Sequence, residues 1–202
     1  KPFTKLYGEK FGDLALSIGK YNGNEKVEVN ADNQSKTYKI GDRGPAGGWI
    51  FYDKGSYTDG WRYLEAAPFD QGTESWNLLY SKTGANGSAV GTGQANTTII
   101  VAAYQKAKHC AARLCDTFEI GSYNDWFLPS RDELALMYTN LKAEGVGGFA
   151  GAGGTWYYYW SSSEYDAFYA WWQDFVSGGQ SNGQQWDIKK SREFGVRAVR
   201  AF

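Results

Sequence analysis

Apolar and polar positions alternate in short runs along most of this chain, and only two stretches carry a helical period. The first clear strand is Trp49-Ile-Phe-Tyr52, aromatic and β-branched, fed by the turn-dense Gly41-Asp-Arg-Gly-Pro-Ala-Gly-Gly48. Asp59-Gly60 is a tight-turn signal, so Trp61-Arg-Tyr-Leu64 is expected to return as the second strand of a hairpin. Residues 68–95, rich in Gly, Ser, Thr and Asn, read as loop.

The helical stretches follow. Asn96 or Thr97 is expected to cap a helix running through Ile99, Ile100, Ala103 and Ala107 towards Leu114. Pro129-Ser-Arg-Asp-Glu133 is a capping box, with Leu134, Met137, Tyr138 and Leu141 on one face behind it. Gly145 to Gly154 is a glycine-rich loop, and Val196-Arg-Ala-Val-Arg-Ala-Phe202 reads as a closing strand. Before all of this, Phe11 to Ile18 reads as a strand or a helical turn, Lys26-Val-Glu-Val29 alternates like a strand, and 30–35 reads as a turn or linker. The order predicts an α+β domain over 37–202, preceded by an extension over 1–36.

Composition sharpens one point. Aromatic residues make up 17% of the chain, enough to place some at the surface as well as in the core. They concentrate in Tyr165-Asp-Ala-Phe-Tyr-Ala-Trp-Trp-Gln-Asp-Phe-Val-Ser-Gly-Gly-Gln-Ser-Asn-Gly-Gln-Gln-Trp-Asp-Ile188, which holds no Lys or Arg. Strand alternation sets Trp171, Gln173 and Phe175 against Trp172, Asp174 and Val176. With Trp171 and Phe175 inward, Trp172 and its alternates are expected to face outward. Rigid aromatics followed by small polar residues match the chemistry of an antibody paratope. An aromatic-rich loop packed on its own domain is an equal alternative from composition alone.

The other features exclude more than they propose. A net charge of −1 gives no electrostatic reason for a nucleic-acid partner. No apolar run approaches a membrane span. The chain opens at Lys1 without Met or a signal-peptide core, as expected of a mature or trimmed form. His109, the sole histidine, is flanked by Lys106, Lys108 and Arg113 and is expected at the surface rather than in a catalytic pair. Cys110 and Cys115 are expected to be small buried thiols, too badly placed for a mutual disulfide or a zinc site. Gly91-Thr-Gly lacks the remainder of a phosphate loop, and Asp53 and Asp125 lack the spacing of a calcium loop. The sequons at Asn33, Asn86 and Asn96 matter only in a eukaryotic secretory pathway. No enzymatic activity, cofactor or metal is expected.

Five motifs occur in order: Gly44-Pro-Ala-Gly-Gly-Trp-Ile-Phe-Tyr-Asp53, Gly60-Trp-Arg-Tyr-Leu-Glu-Ala-Ala-Pro68, Asp125-Trp-Phe-Leu-Pro-Ser-Arg-Asp-Glu-Leu134, Tyr159-Trp-Ser-Ser-Ser-Glu164 and Val196-Arg-Ala-Val-Arg200. Together they resemble a bacterial surface-domain family and, within it, the variable proteins of diversity-generating retroelements. Non-diversified relatives carry the same framework. The resemblance covers about residues 37–202 and implies a C-type lectin-like fold of the formylglycine-generating-enzyme type, with two helices, short antiparallel sheets and long loops. It implies a variable region over about 155–202, display at the cell surface (the outer membrane, through a lipid anchor outside this chain), and a varied macromolecular ligand, expected to be a protein. The chain is expected to be a monomer.

In that family adenine-specific copying errors turn template Asn codons into many others. Such codons yield Phe, Tyr, Ser, Gly, Asp, Ala, Val, Ile or Asn, but never Trp, Gln, Glu, Lys or Met. The implied diversified positions are Asp166, Phe168, Tyr169, Asp174, Val176, Gly179, Ser181, Gly183, Asp187, Ile188, Phe194 and Gly195. Trp172 and Trp186 join them as fixed or differently encoded contacts, and Gln173, Gln180, Gln184, Lys189 and Lys190 are expected to be fixed. The implied frame is Trp49, Phe51, Trp61, Leu134, Trp160, Trp171 and Val199. Exchanging Phe168, Tyr169 and Asp174 together is expected to shift stability by less than about 1 kcal/mol. The calcium-dependent sugar signatures Glu-Pro-Asn and Gln-Pro-Asp are absent, and the cysteine site of the enzyme branch has no counterpart, so the fold alone carries no chemistry. The rival expectations are an invariant adhesin or glycan-binding domain and, more weakly, a hydrolase or oxidase.

Overall fold

The computed structural model describes residues 36–78, 80–104, 109–149, 158–175 and 185–202. The N-terminal extension, apart from Lys36, lies outside them. The architecture is α+β, with few helices and two sheets, one antiparallel and one mixed.

The first sheet has the order β1-β2-β8, from Trp49–Thr58, Trp61–Ala66 and Val199–Ala201. Its hairpin turns where the sequence signals it: Asp59 and Gly60 both take positive φ, at 53° and 84°. Two left-handed residues match the twist of the flanking strands, which is why an Asp-Gly pair sits there. The second sheet has the order β3-β7-β4-β5-β6. Its strands are β3 (Gly72–Ser75), β4 (Tyr158–Glu164), β5 (Tyr169–Asp174), β6 (Gln185–Lys189) and β7 (Glu193–Val196). All its pairs are antiparallel except β4 with β7. The loop expected over 68–95 therefore contains an edge strand, β3.

Among the described residues the helices are α1 (Gly93–Ala103), α2 (Ala111–Asp116) and α3 (Arg131–Met137), the last continuing into a π-helical turn over Tyr138–Lys142. The single helix expected from Asn96 towards Leu114 is thus two. Asn96 and Thr97 do not cap it; they lie buried within α1. There the Asn96 amide donates to the Gly87 carbonyl at 2.6 Å and accepts from the Gly87 amide. Polar residues that resemble caps are being used to anchor the preceding loop. The capping box at Ser130 and Glu133 is present as expected. Glu133 also accepts the Gly91 amide at 2.7 Å, so one carboxylate caps α3 and fixes the approach to α1.

Two large apolar clusters fill the interior. One gathers Trp76, Ile100, Cys115, Trp126, Leu128, Trp160, Trp172, Phe194 and Val196. The other gathers Phe51, Leu64, Phe127, Leu134, Met137, Leu141, Tyr159, Phe175 and Val199. Neighbouring residues of β4 contribute to different clusters, Tyr159 to the second and Trp160 to the first, so this strand is covered on both faces. Among the described residues no helix is long and apolar enough to cross a membrane.

Candidate functional site

The expected site is the ribbon β5–β6 with its turns, and it is held by buried ionic and polar contacts. Lys190, just past β6, is buried, and its ammonium lies 2.6 Å from the Glu164 carboxylate at the end of β4. The same ammonium sits 4.6 Å from the centre of the Trp76 ring. Glu164 accepts the amides of Thr83 and Gly84 at 2.8 and 2.9 Å, which ties the 81–85 loop to the ribbon. Burial alone would raise the Glu164 carboxyl, but Lys190 and the two amides outweigh it and hold it below the usual carboxylate range. Burial depresses the Lys190 ammonium by more than Glu164 restores.

At the β4–β5 turn, Asp166 accepts the amides of Phe168 and Tyr169 at 2.7 and 2.8 Å. This expected contact residue is therefore a turn-former, an Asx arrangement that sets the hairpin. On the far side, the Gln185 amide donates to the Arg131 carbonyl at 2.6 Å and to Gln173 at 2.9 Å, tying β6 to the start of α3.

The side chains divide differently from the alternation argument. Trp172 is buried, 9% exposed, with ring centres of Tyr158, Trp186 and Phe194 at 4.7, 5.2 and 5.2 Å. Trp171 is only half-buried, its ring beside Tyr165 and 5.2 Å from the Arg131 guanidinium. Asp174 is 2% exposed and Phe194 is 7% exposed. Gly195 is buried, and a Cβ there would meet the Tyr158 carbonyl and the Tyr159 ring at 3.1 Å. So Trp172, Asp174, Phe194 and Gly195 do not form an outward surface in this chain, and exchanging Asp174 reaches into the interior. Alternation failed because β4, β5 and β7 are covered on both faces, where period two cannot separate inside from outside.

What remains open is a narrower set. Phe168 is 51% exposed and Trp186 is 38% exposed; Asp187 is also exposed, while Tyr169 and Ile188 are half-buried. Val176, Gly179, Ser181 and Gly183 lie outside the described residues. Of the expected frame, Phe51, Leu134, Trp160 and Val199 are buried, whereas Trp49, Trp61 and Trp171 are half-buried.

The structure adds Tyr80, 53% exposed, whose ring packs on Phe168 with centres 5.7 Å apart. Exposed Leu78 precedes it. The apolar run Leu78-Leu-Tyr80 within an otherwise polar loop was the available signal. Among the described residues the buried Trp172 indole N–H has no hydrogen-bond partner, a cost of about 1–3 kcal/mol for such a donor.

Cys110 and Cys115 are free and buried, and burial pushes both thiols up, Cys115 well above its ordinary value. His109 is exposed. Asp53 pairs with Arg62, and Asp125 with Arg200, at 2.8 and 2.7 Å. Concavities of about 330 and 270 Å³ flank Arg113 where α1 meets α2, away from the ribbon. Among the described residues no three His, Cys, Asp or Glu side chains gather as a metal site would require. Compared with known proteins, the chain matches no family model and no curated protein.

Proposed function

We propose that the chain is a non-enzymatic, surface-displayed binding protein with a C-type lectin-like fold of the formylglycine-generating-enzyme type. Its C-terminal face is diversified by a retroelement and binds varied protein ligands. The observation that carries this reading is the pair Phe168 and Trp186, large aromatics left open on a ribbon whose neighbouring strands are covered. Half-exposed aromatics supply contact area at low entropic cost, and the paratope-like composition around them supplies adaptable hydrogen bonds.

The five sequence motifs support the same division. Their polar residues knit the motifs to one another: Glu65 accepts the Gly48 amide at 2.6 Å, and Arg200 lies 3.5 Å from Glu65 and 2.7 Å from Asp125. Arg197 bonds Asp70 at 2.6 Å and the Gly147 carbonyl at 2.8 Å. A frame locked this way tolerates exchange at open positions between motifs, because surface substitutions usually shift stability by about 0.5 kcal/mol or less.

The genomic neighbourhood tests the reading. A reverse transcriptase gene and a near-copy of the segment encoding about residues 155–202, differing at template adenines, are expected. A neighbourhood with neither refutes diversification and leaves an invariant adhesin or glycan-binding face.

A further inference from the structure

β6 is the edge of the five-stranded sheet, and the pairing fixes which of its main-chain groups are used. The Lys190 amide donates to the Phe168 carbonyl at 2.9 Å, in continuity with the pairs Tyr169↔Lys189, Ala170↔Ile188 and Trp172↔Trp186. In an antiparallel ladder, main-chain bonding groups alternate sides along the strand. The amides and carbonyls of Trp186 and Ile188 therefore face β5. Those of Asp187, with the Lys189 amide and the Gln185 carbonyl, point off the sheet. Among the described residues nothing pairs with them.

The side chains of β6 alternate as well. Trp186 and Ile188 lie on one face, while Asp187 and Lys189, both exposed and opposite in charge, lie on the other. Phe168 and Tyr80 continue the exposed aromatic surface beyond the end of β6. Unpaired edges invite further strands, and proteins that must avoid this guard them with Pro, bulges, coverage, very short strands or charged side chains; β6 is five residues long and carries the charges of Asp187 and Lys189. The register of β6 with β5 has no bulge, and the strand has no Pro.

We infer that the ligand docks by strand addition to β6, as an extended segment of a partner protein; this rests on the binding face proposed above. The segment carries apolar side chains at alternate positions, set against Trp186 and Ile188. Its other face carries a basic and an acidic residue two apart, opposite Asp187 and Lys189, because opposite charges on directly paired positions are favourable and like charges are not. Main-chain bonds to Asp187 and Lys189 supply sequence-independent affinity, and the side chains supply selection. A diversified face gains from this division, since exchanging side chains leaves the backbone contacts in place.

The test pans a displayed random linear peptide library on the full chain and measures the enriched peptides as free synthetic peptides. Asp187→Pro removes an amide that faces off the sheet and costs no bond to β5, a position where edge strands accept Pro. It is expected to weaken the peptides at least tenfold while leaving the circular dichroism spectrum unchanged. N-methylation of alternate peptide residues, tried in both registers on the unaltered protein, is expected to abolish binding in one register only. Trp186→Ala separates the two readings. If it weakens the peptides while Asp187→Pro and N-methylation do not, strand addition is overturned and the binding face stands. If no peptide binds, strand addition is overturned and the binding face stands; if peptides bind but none depends on Trp186, the face falls and strand addition with it. A concentration-dependent dimer that Asp187→Pro abolishes would make a second copy the occupant and overturn the choice of partner.

Discussion

Lys190→Met isolates the clamp that holds the ribbon. The Lys190 ammonium is completely buried, and the Glu164 carboxylate it pairs with is 3% exposed. Met keeps the unbranched stem but leaves Glu164 with only the Thr83 and Gly84 amides. Removing one member of a buried pair costs about 3–5 kcal/mol. The remaining amides place the loss at the lower end, about 3 kcal/mol, or roughly 6–12 °C in Tm for a chain of this size. Replacing both partners, Glu164→Leu with Lys190→Met, is expected to cost less than the sum of the single changes by at least about 1 kcal/mol, since neither charge is then stranded. Urea unfolding followed by tryptophan fluorescence, repeated by circular dichroism, measures all four proteins. A Lys190→Met protein within about 0.5 kcal/mol of the parent, the ordinary surface range, would refute the buried clamp.

Three further outcomes follow from the same geometry. Trp172→Ala is expected to cost about 3–5 kcal/mol and Trp186→Ala less than about 1 kcal/mol, because one indole is interior and the other half-open; thermal unfolding compares them. Gly195→Val is expected to cost about 1–3 kcal/mol by crowding the Tyr158 carbonyl and the Tyr159 ring, and retained stability in urea would show that this site can diversify after all. Burial raises the Glu133 carboxyl above its ordinary value against the Ser130 and Gly91 amides, so its contribution is fully present below the unfolded pKa and lost as pH rises through the folded one. Glu133→Gln should therefore cost more below the ordinary carboxyl value of 4.5 than at neutral pH in urea unfolding, and an equal cost on both sides would contradict the raised carboxyl.

The elements legible in the sequence were those whose signals are local. Asp59-Gly60 announced its hairpin, and Ser130 and Glu133 announced their helix start. The failures came from tertiary context. Asn96 and Thr97 have the composition of caps, but packing against the Gly87 loop drew them inside α1. Trp171 and Trp172 are adjacent residues of one type, and which is covered depends on α3 lying over one face and the Trp160–Phe194 cluster over the other. The turn-forming role of Asp166 likewise depends on the fold around it, where its carboxylate accepts the Phe168 and Tyr169 amides. Tyr80 stands in an apolar run that hints at a role, but nothing in the sequence brings it to Phe168, 88 positions on; the fold does.

Sequencing this gene from independent clones of one lineage separates a diversified face from an invariant one. Differences are expected to cluster within 166–195 and to fall on open positions such as Phe168 and Asp187. None is expected at Trp172, Lys190 or Glu164. Differences scattered over the whole chain, or concentrated on the buried positions Asp174, Phe194 and Gly195 while Phe168 and Asp187 stay fixed, would contradict diversification of the open face.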